Sequence, residues 1–250
     1  MENKMSAQYA TQIRCAIILT AGQGVSLDQW QELIKSAASY LSNEIQGAEI
    51  VALTTIANDN HAALHAPYRQ LGQRIDGTIA ITLTDAGTQH DLLAVAPALR
   101  SLLAEGIEAD GCTANIGEAL HAIRGYGAYA YCMLSVRDPS ISPQQFISWW
   151  SDHHSELGVT GSSGSVMKGY AIQHRIDPLT AKMNAALHFP DHGDLFELVY
   201  MDDIDQWTQM VTPQVVASFC EDEKGYVAPW GARIAMQHVQ YFNLLHRLYR

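Results

Sequence analysis

The sequence predicts an α+β fold: two ferredoxin-like β-α-β-β-α-β repeats, residues 1–125 and 126–250, whose sheets pack face to face into one barrel within a single chain. Three internal echoes lead to this reading. Ser26-Leu27-Asp28-Gln29-Trp30 returns 116 residues later as Ser142-Pro143-Gln144-Gln145-Phe146. Ala62-Ala63-Leu64-His65-Ala66-Pro67 returns 123 residues later as Ala185-Ala186-Leu187-His188-Phe189-Pro190, identical at five of six positions. Thr84-Asp85 returns as Met201-Asp202, 117 residues on. Any one echo is within reach of chance, but three in the same order indicate duplication, with loops absorbing the changing offset.

Each half reads as the same succession of elements. Cys15 to Thr20 and Tyr129 to Val136 are aliphatic runs that form the first strands. Each leads into a helix opened by a capping box, Ser26 with Gln29 and Ser142 with Gln145, and Pro143 occupies a first-turn position where its missing N–H is no loss. The first helix of the second half runs from Pro143 to Leu157. It is followed by a strand from Gly169 to Ile176, the Ala-Ala-Leu-His loop, and a strand from Phe196 to Met201. A helix across Ile204 to Glu223 and a strand from Arg233 to Tyr241 complete the unit. A four-stranded antiparallel sheet carries its helices on one face and leaves the other uncovered. Two such sheets cover each other, and the space between them is the expected ligand site.

Composition narrows the function. With 15 Lys and Arg against 26 Asp and Glu, the formal charge is −11 and the acidic residues are dispersed, so nucleic acid and anionic membranes are repelled. The first twelve residues lack an apolar core and no stretch approaches membrane-spanning length, so a soluble cytoplasmic protein is expected. Cys15, Cys112, Cys132 and Cys220 are widely spaced and read as buried free thiols. No metal is expected: His61 and His65, like His188 and His192, have i, i+4 spacing, but without an accompanying carboxylate or Cys ligand the signal is weak. Ala21-Gly22-Gln23-Gly24 lacks the third glycine of a dinucleotide site, and no strand precedes Gly161–Ser165 to make a nucleophile elbow. No cofactor is therefore called for.

The helix after Ser142 concentrates unusual chemistry. Phe146, Trp149, Trp150, His153, His154 and Leu157 recur at helical spacing and form one stripe, with Trp150 and His154 one turn apart. The 116-residue offset sets Ala38 opposite His154, so only one half carries the imidazole. An imidazole is well matched to proton transfer at neutral pH, although a core histidine bonded to a carbonyl is an equal alternative. On the strands, alternation places Tyr170, Ile172 and His174 on one face and Glu197, Val199 and Met201 on another. Glu197 is either a buried carboxylate paired with Arg175 or Arg233, or an acid whose pKa is raised by desolvation. Which faces line the cavity is open. His65 and His188 sit on loops that could cross the barrel mouth, and Trp230, Trp207, Tyr226 and Phe219 add aromatic surface.

The run Tyr129 to Pro139, the Ser-capped helix with Trp150 and His154, Gly169-Tyr170 to His174, Asp194 to Ile204 and Glu223-Lys224-Gly225-Tyr226 together resemble the EthD family over about residues 129 to 242. Glu156 stands where that family usually has proline. The resemblance implies a dimeric α+β barrel, here formed within one chain, and His154 as the family's histidine. It also implies cofactor-free dehydratases and cyclases of polyketide metabolism. The expected activity is a cofactor-independent dehydratase or cyclase acting on a hydrophobic, aromatic or polycyclic small molecule. His154, Glu197 and His174 would be catalytic, with Trp150, Tyr170, His188, His65 and Trp230 in contact with substrate. A cofactor-free or haem-dependent oxygenase and a non-catalytic binder of hydrophobic metabolites are the alternatives. A homodimer is compatible with the sequence.

Overall fold

Alternating side chains along eight strands give each strand two different faces, and antiparallel pairing closes the strands into one barrel. The computed structural model describes residues 12–55, 74–84, 86–160 and 165–243. The first half comprises β1 (Gln12–Leu19), α1 (Leu27–Glu44), β2 (Glu49–Thr55), β3 (Gly77–Leu83), α2 (Ala86–Leu103) and β4 (Thr113–Ile123). The second comprises β5 (Tyr129–Arg137), α3 (Pro143–Trp149), a π-helical turn (Trp150–His154), α4 (Ser155–Thr160), β6 (Gly169–Arg175), α5 (Asp177–Leu187), β7 (Leu195–Met201), α6 (Ile204–Met210), α7 (Pro213–Asp222) and β8 (Val227–Asn243).

Around the barrel the strands run β1-β3-β2-β8-β5-β7-β6-β4. The order β4-β1-β3-β2 in the first half thus recurs as β8-β5-β7-β6 in the second. Two seams join the halves: β2 pairs with β8, and β4 pairs with β6. Both capping boxes form as expected, at Ser26 and at Ser142, and fix where α1 and α3 begin. In α1 the buried positions are Trp30, Ile34, Ala37, Ala38 and Leu41, a single stripe laid on the sheet.

Two helical expectations are corrected. The segment read as a loop around Ala185 to Leu187 is the last turn of α5, whose Ala-rich body favours helix. His188 ends it in the left-handed conformation, φ 53°, and is exposed. The single helix expected across Ile204 to Glu223 is divided, because Thr212 caps a new helix with Pro213 in its first turn, a residue that cannot continue the preceding one.

The location of the ligand space is corrected as well. Ala16, Ile18, Val51, Leu53, Ala80, Ala130, Cys132, Leu134, Phe196, Leu198, Tyr200 and Ala235 form one cluster within the barrel. In this barrel the described side chains fill the interior, as those of small eight-stranded barrels can. The opposite face of β5–β8, with Met133, Tyr170, Ile172, Val199 and Met201, packs against the helices of the second half. The four cysteines are free, three of them buried. Among the described residues no helix is long and apolar enough to cross a membrane.

Candidate active site

The sequence-predicted stripe on the helix after Ser142 is broken by one surplus residue. Phe146, Trp149 and Trp150 are buried as the spacing requires. Between Trp150 and His154 the chain then makes a π turn, closed by a bond from the Ser155 N–H to the Trp150 carbonyl, and the Ser155 hydroxyl donates to the Ser151 carbonyl at 2.6 Å. The extra residue moves the inward positions from 153, 154 and 157 to His154, Ser155 and Gly158. His153 consequently stands 60% exposed and Leu157 39% exposed. Such π turns are rare and recur at functional sites.

His154 is buried, its ring 4.4 Å from that of Trp150 and 5.0 Å from that of Trp149. Its Nδ1 lies 2.7 Å from Asp222 Oδ2, at the end of α7. A carboxylate there makes Nδ1 the protonated nitrogen and leaves Nε2 as the acceptor, a tautomer assigned from the hydrogen bond. Nε2 is 3.8 Å from Glu223 Oε1. The second oxygen of Asp222, Oδ1, is 2.8 Å from His153 Nε2. Partial burial pushes the Asp222 carboxyl up, but the contacts with His154 and His153 outweigh it and hold the group below its usual range.

Glu197 comes from the sheet side. Its Oε2 accepts hydrogen bonds from Trp150 Nε1 at 3.2 Å and from Tyr170 OH at 3.0 Å. Burial raises its pKa, opposed by the nearby His154 and by these two donors. Burial and the charge of Glu197 push the Tyr170 phenol well above its ordinary value, so Tyr170 keeps its proton and acts as a donor. Arg175 and Arg233, the partners considered for Glu197, stand on the other face of the sheet. Arg175 binds Asp177 and Asp191, and Arg233 donates to the Gly111 carbonyl.

These groups face a cavity of about 60 Å³ between sheet and helices. His154, Glu197, Glu223, Tyr131, Tyr170 and Trp207 line it, with Met133, Val199, Val211 and Val216 as its apolar surface. Gly158, on the far side of the π turn, contributes no side chain. Among the described residues the buried Trp207 indole N–H has no hydrogen-bond partner, which leaves it a free donor of the lining. Among the described residues no Lys or Arg lines the cavity, and no cluster of three His, Cys, Asp or Glu suited to a metal occurs.

The structure therefore brings His154, Glu197 and Tyr170 together, with Trp150 behind them holding Glu197. His174 is not brought in. Its Nε2 shares a 2.9 Å hydrogen bond with Ser151 Oγ under the π turn, and burial lowers its pKa to about 4, so it is a neutral support. His188 is exposed beyond α5, outside the lining. His65 and the Trp230 side chain lie outside the described residues. Sequence reasoning missed Asp222, Glu223 as a cavity wall, and Trp207. Only the run Glu221-Asp222-Glu223 hinted at the first two, as three acids in a largely apolar stretch.

No family model and no curated protein matches the sequence. Among solved structures the chain is similar to a proposed monooxygenase from Fusobacterium nucleatum, with 9% identity and a TM-score of 0.55 over 95% of this chain and 100% of that one. A proposed monooxygenase from Lactobacillus acidophilus gives 12% identity and a TM-score of 0.48 over 94% and 100%. A haem-binding protein from Thermus thermophilus gives 9% identity and a TM-score of 0.45 over 94% and 93%. At these identities the first likeness shows a shared α+β barrel fold.

Proposed function

We propose that the chain is a cofactor-independent enzyme that moves protons on a neutral, largely apolar cyclic molecule, a dehydratase or cyclase with His154 as base and Glu197 as acid. The observation that carries this reading is that an Asp-oriented imidazole and a carboxyl pushed up by burial face the same apolar cavity. An oriented imidazole that can accept a proton beside a carboxyl that holds one is an arrangement suited to acid–base work. His154 Nε2 would take a proton from a carbon beside a carbonyl. Glu197 would give its proton to the departing hydroxyl oxygen, so that water leaves and a double bond forms. The Trp207 N–H would bind the carbonyl oxygen, where charge develops. A lining with Glu197 and Glu223 and without Lys or Arg favours uncharged substrates. The recurrence of strand order and of the capping boxes supports a duplicated ferredoxin-like unit related to the EthD family, with the chemistry in the second copy.

The reading is tested by incubating the protein in D2O with a panel of neutral cyclic ketones and phenols and measuring deuterium incorporation by mass spectrometry. Wild type should exceed buffer, and His154→Ala should lose roughly 10² to 10⁴ of that excess while keeping its fold. Equal incorporation in the variant would remove His154 from the chemistry.

A second reading is a cofactor-free oxygenase, since the same base would produce a carbanion able to react with oxygen and the fold is shared with a proposed monooxygenase. Oxygen uptake with a deuterating substrate separates the two. Haem does not fit the residues present: His154 Nε2 could meet an iron, but the described lining offers the carboxyls of Glu197 and Glu223, and no Lys or Arg, where the propionates would need cations.

A further inference from the structure

Glycine is the poorest helix former after proline, so one held inside a helix calls for a reason. Gly158 lies within α4 (Ser155–Thr160) and is buried on the cavity wall, four residues and about one turn beyond His154. We propose that Gly158 determines which substrates fit: the side chain it lacks leaves a pocket for an apolar extension of the substrate, one turn from the base. That His154 is the base belongs to the acid–base reading above, on which this inference rests.

The backbone does not demand glycine at this position. Gly158 is not one of the glycines with positive φ, so an L side chain would not strain it. Other glycines of the barrel are imposed by close approach: a Cβ at Gly117 would lie 2.0 Å from the His174 carbonyl oxygen, and one at Gly127 would lie 2.3 Å from that of Met201. A Cβ at Gly158 would meet, outside its own helix and among the described residues, Tyr170 Cε1 at 3.6 Å and Met167 Cε at 3.9 Å. Both are side-chain atoms at ordinary van der Waals distance. An alanine would therefore fit and would favour the helix. What it would take away is room in the cavity.

The walls of that room fix the chemistry of what enters it. Tyr170 turns its hydroxyl to Glu197 Oε2 and leaves a ring edge toward Gly158. Met167 adds the end of a thioether chain, a flexible apolar surface that suits alkyl and aromatic groups alike. An anionic extension would find no Lys or Arg among the described lining residues. The substrate class is then a neutral ring that reacts beneath His154 Nε2 and carries, on the side facing Gly158, a short alkyl chain or a second ring.

Binding, and not turnover, is the test. Isothermal titration calorimetry compares phenol with its para-methyl, para-ethyl and para-propyl homologues on the full chain as wild type, Gly158→Ala and Gly158→Leu. Wild-type affinity should rise along the series. In Gly158→Ala the longest phenol that wild type binds should weaken by roughly tenfold or more, while phenol itself changes by less than about twofold. Gly158→Leu should move the loss to shorter members. The unfolding midpoint of Gly158→Ala should rise by roughly 1–4 °C, since no contact is lost and the helix gains a better former. A series unchanged by Gly158→Ala, equal weakening of all its members, a lowered midpoint, or no binding by wild type would each overturn the proposal. The expected series without deuterium incorporation would strike the acid–base reading and leave the pocket standing.

Discussion

Glu49 opens β2 facing the barrel interior and is 1% exposed, with neither carboxyl oxygen hydrogen-bonded among the described residues. Arg14 provides distant relief: both residues pair with Thr82, so a whole strand separates them. Burial wins over that attraction and moves the carboxyl from 4.5 to about 7. Because the folded state holds the proton more tightly than the unfolded one, stability present below pH 4.5 is lost as pH rises to about 7. That change corresponds to about 3 kcal/mol. Glu49→Gln keeps the shape, forfeits no hydrogen bond and removes the ionisation. Its midpoint should therefore match wild type at pH 4.5 and exceed it by roughly 6–12 °C above pH 7. Thermal unfolding followed by circular dichroism across that range measures the gap. A gap that does not widen with pH would refute the reasoning.

Other outcomes follow from the site and the seams. Asp222→Asn should leave the fold intact yet lower deuterium incorporation by roughly 10² to 10⁴, since an amide can hold the wrong tautomer of His154. Because burial raises the Glu197 carboxyl, wild type should lose stability as pH rises above the ordinary carboxylate range; unfolding midpoints of Glu197→Gln should lack that share of the loss. Trp207→Phe removes an indole donor that no described residue uses, so its unfolding midpoint should be unchanged while KM rises roughly tenfold. A side chain at Gly117 would strike the His174 carbonyl across the β4–β6 seam. Gly117→Ala should therefore lower stability by about 3 kcal/mol, read by urea unfolding.

How much of this was legible in the sequence depends on which physical rule governed each part. Capping boxes at Ser26 and Ser142 are local, so the helix starts were readable to the residue. Alternation correctly put Tyr170 with His174 and Glu197 with Val199, but a period of two says only which residues share a face, not which way the face looks. The direction was set by how the barrel closes and where the helices pack on it, which no single strand carries. Asp222 and His154 are 68 residues apart and meet only through the packing of α7 on the π turn. Thr212-Pro213 was a readable break that a continuous apolar pattern obscured.

The surplus residue of the π turn also changes the ruler by which the two halves are compared. Counted from their caps, Trp30 and Ile34 still match Phe146 and Trp150, but beyond the turn the offset lengthens by one. Ala37, Ala38 and Leu41 then correspond to His154, Ser155 and Gly158, so the counterpart of His154 is Ala37 and not Ala38. In the first half Leu41 is fully buried against the sheet, whereas in the second a glycine takes its place and the space stays open. The cavity is, in these terms, a missing leucine: one half plugs with an isobutyl group the hollow that the other leaves open.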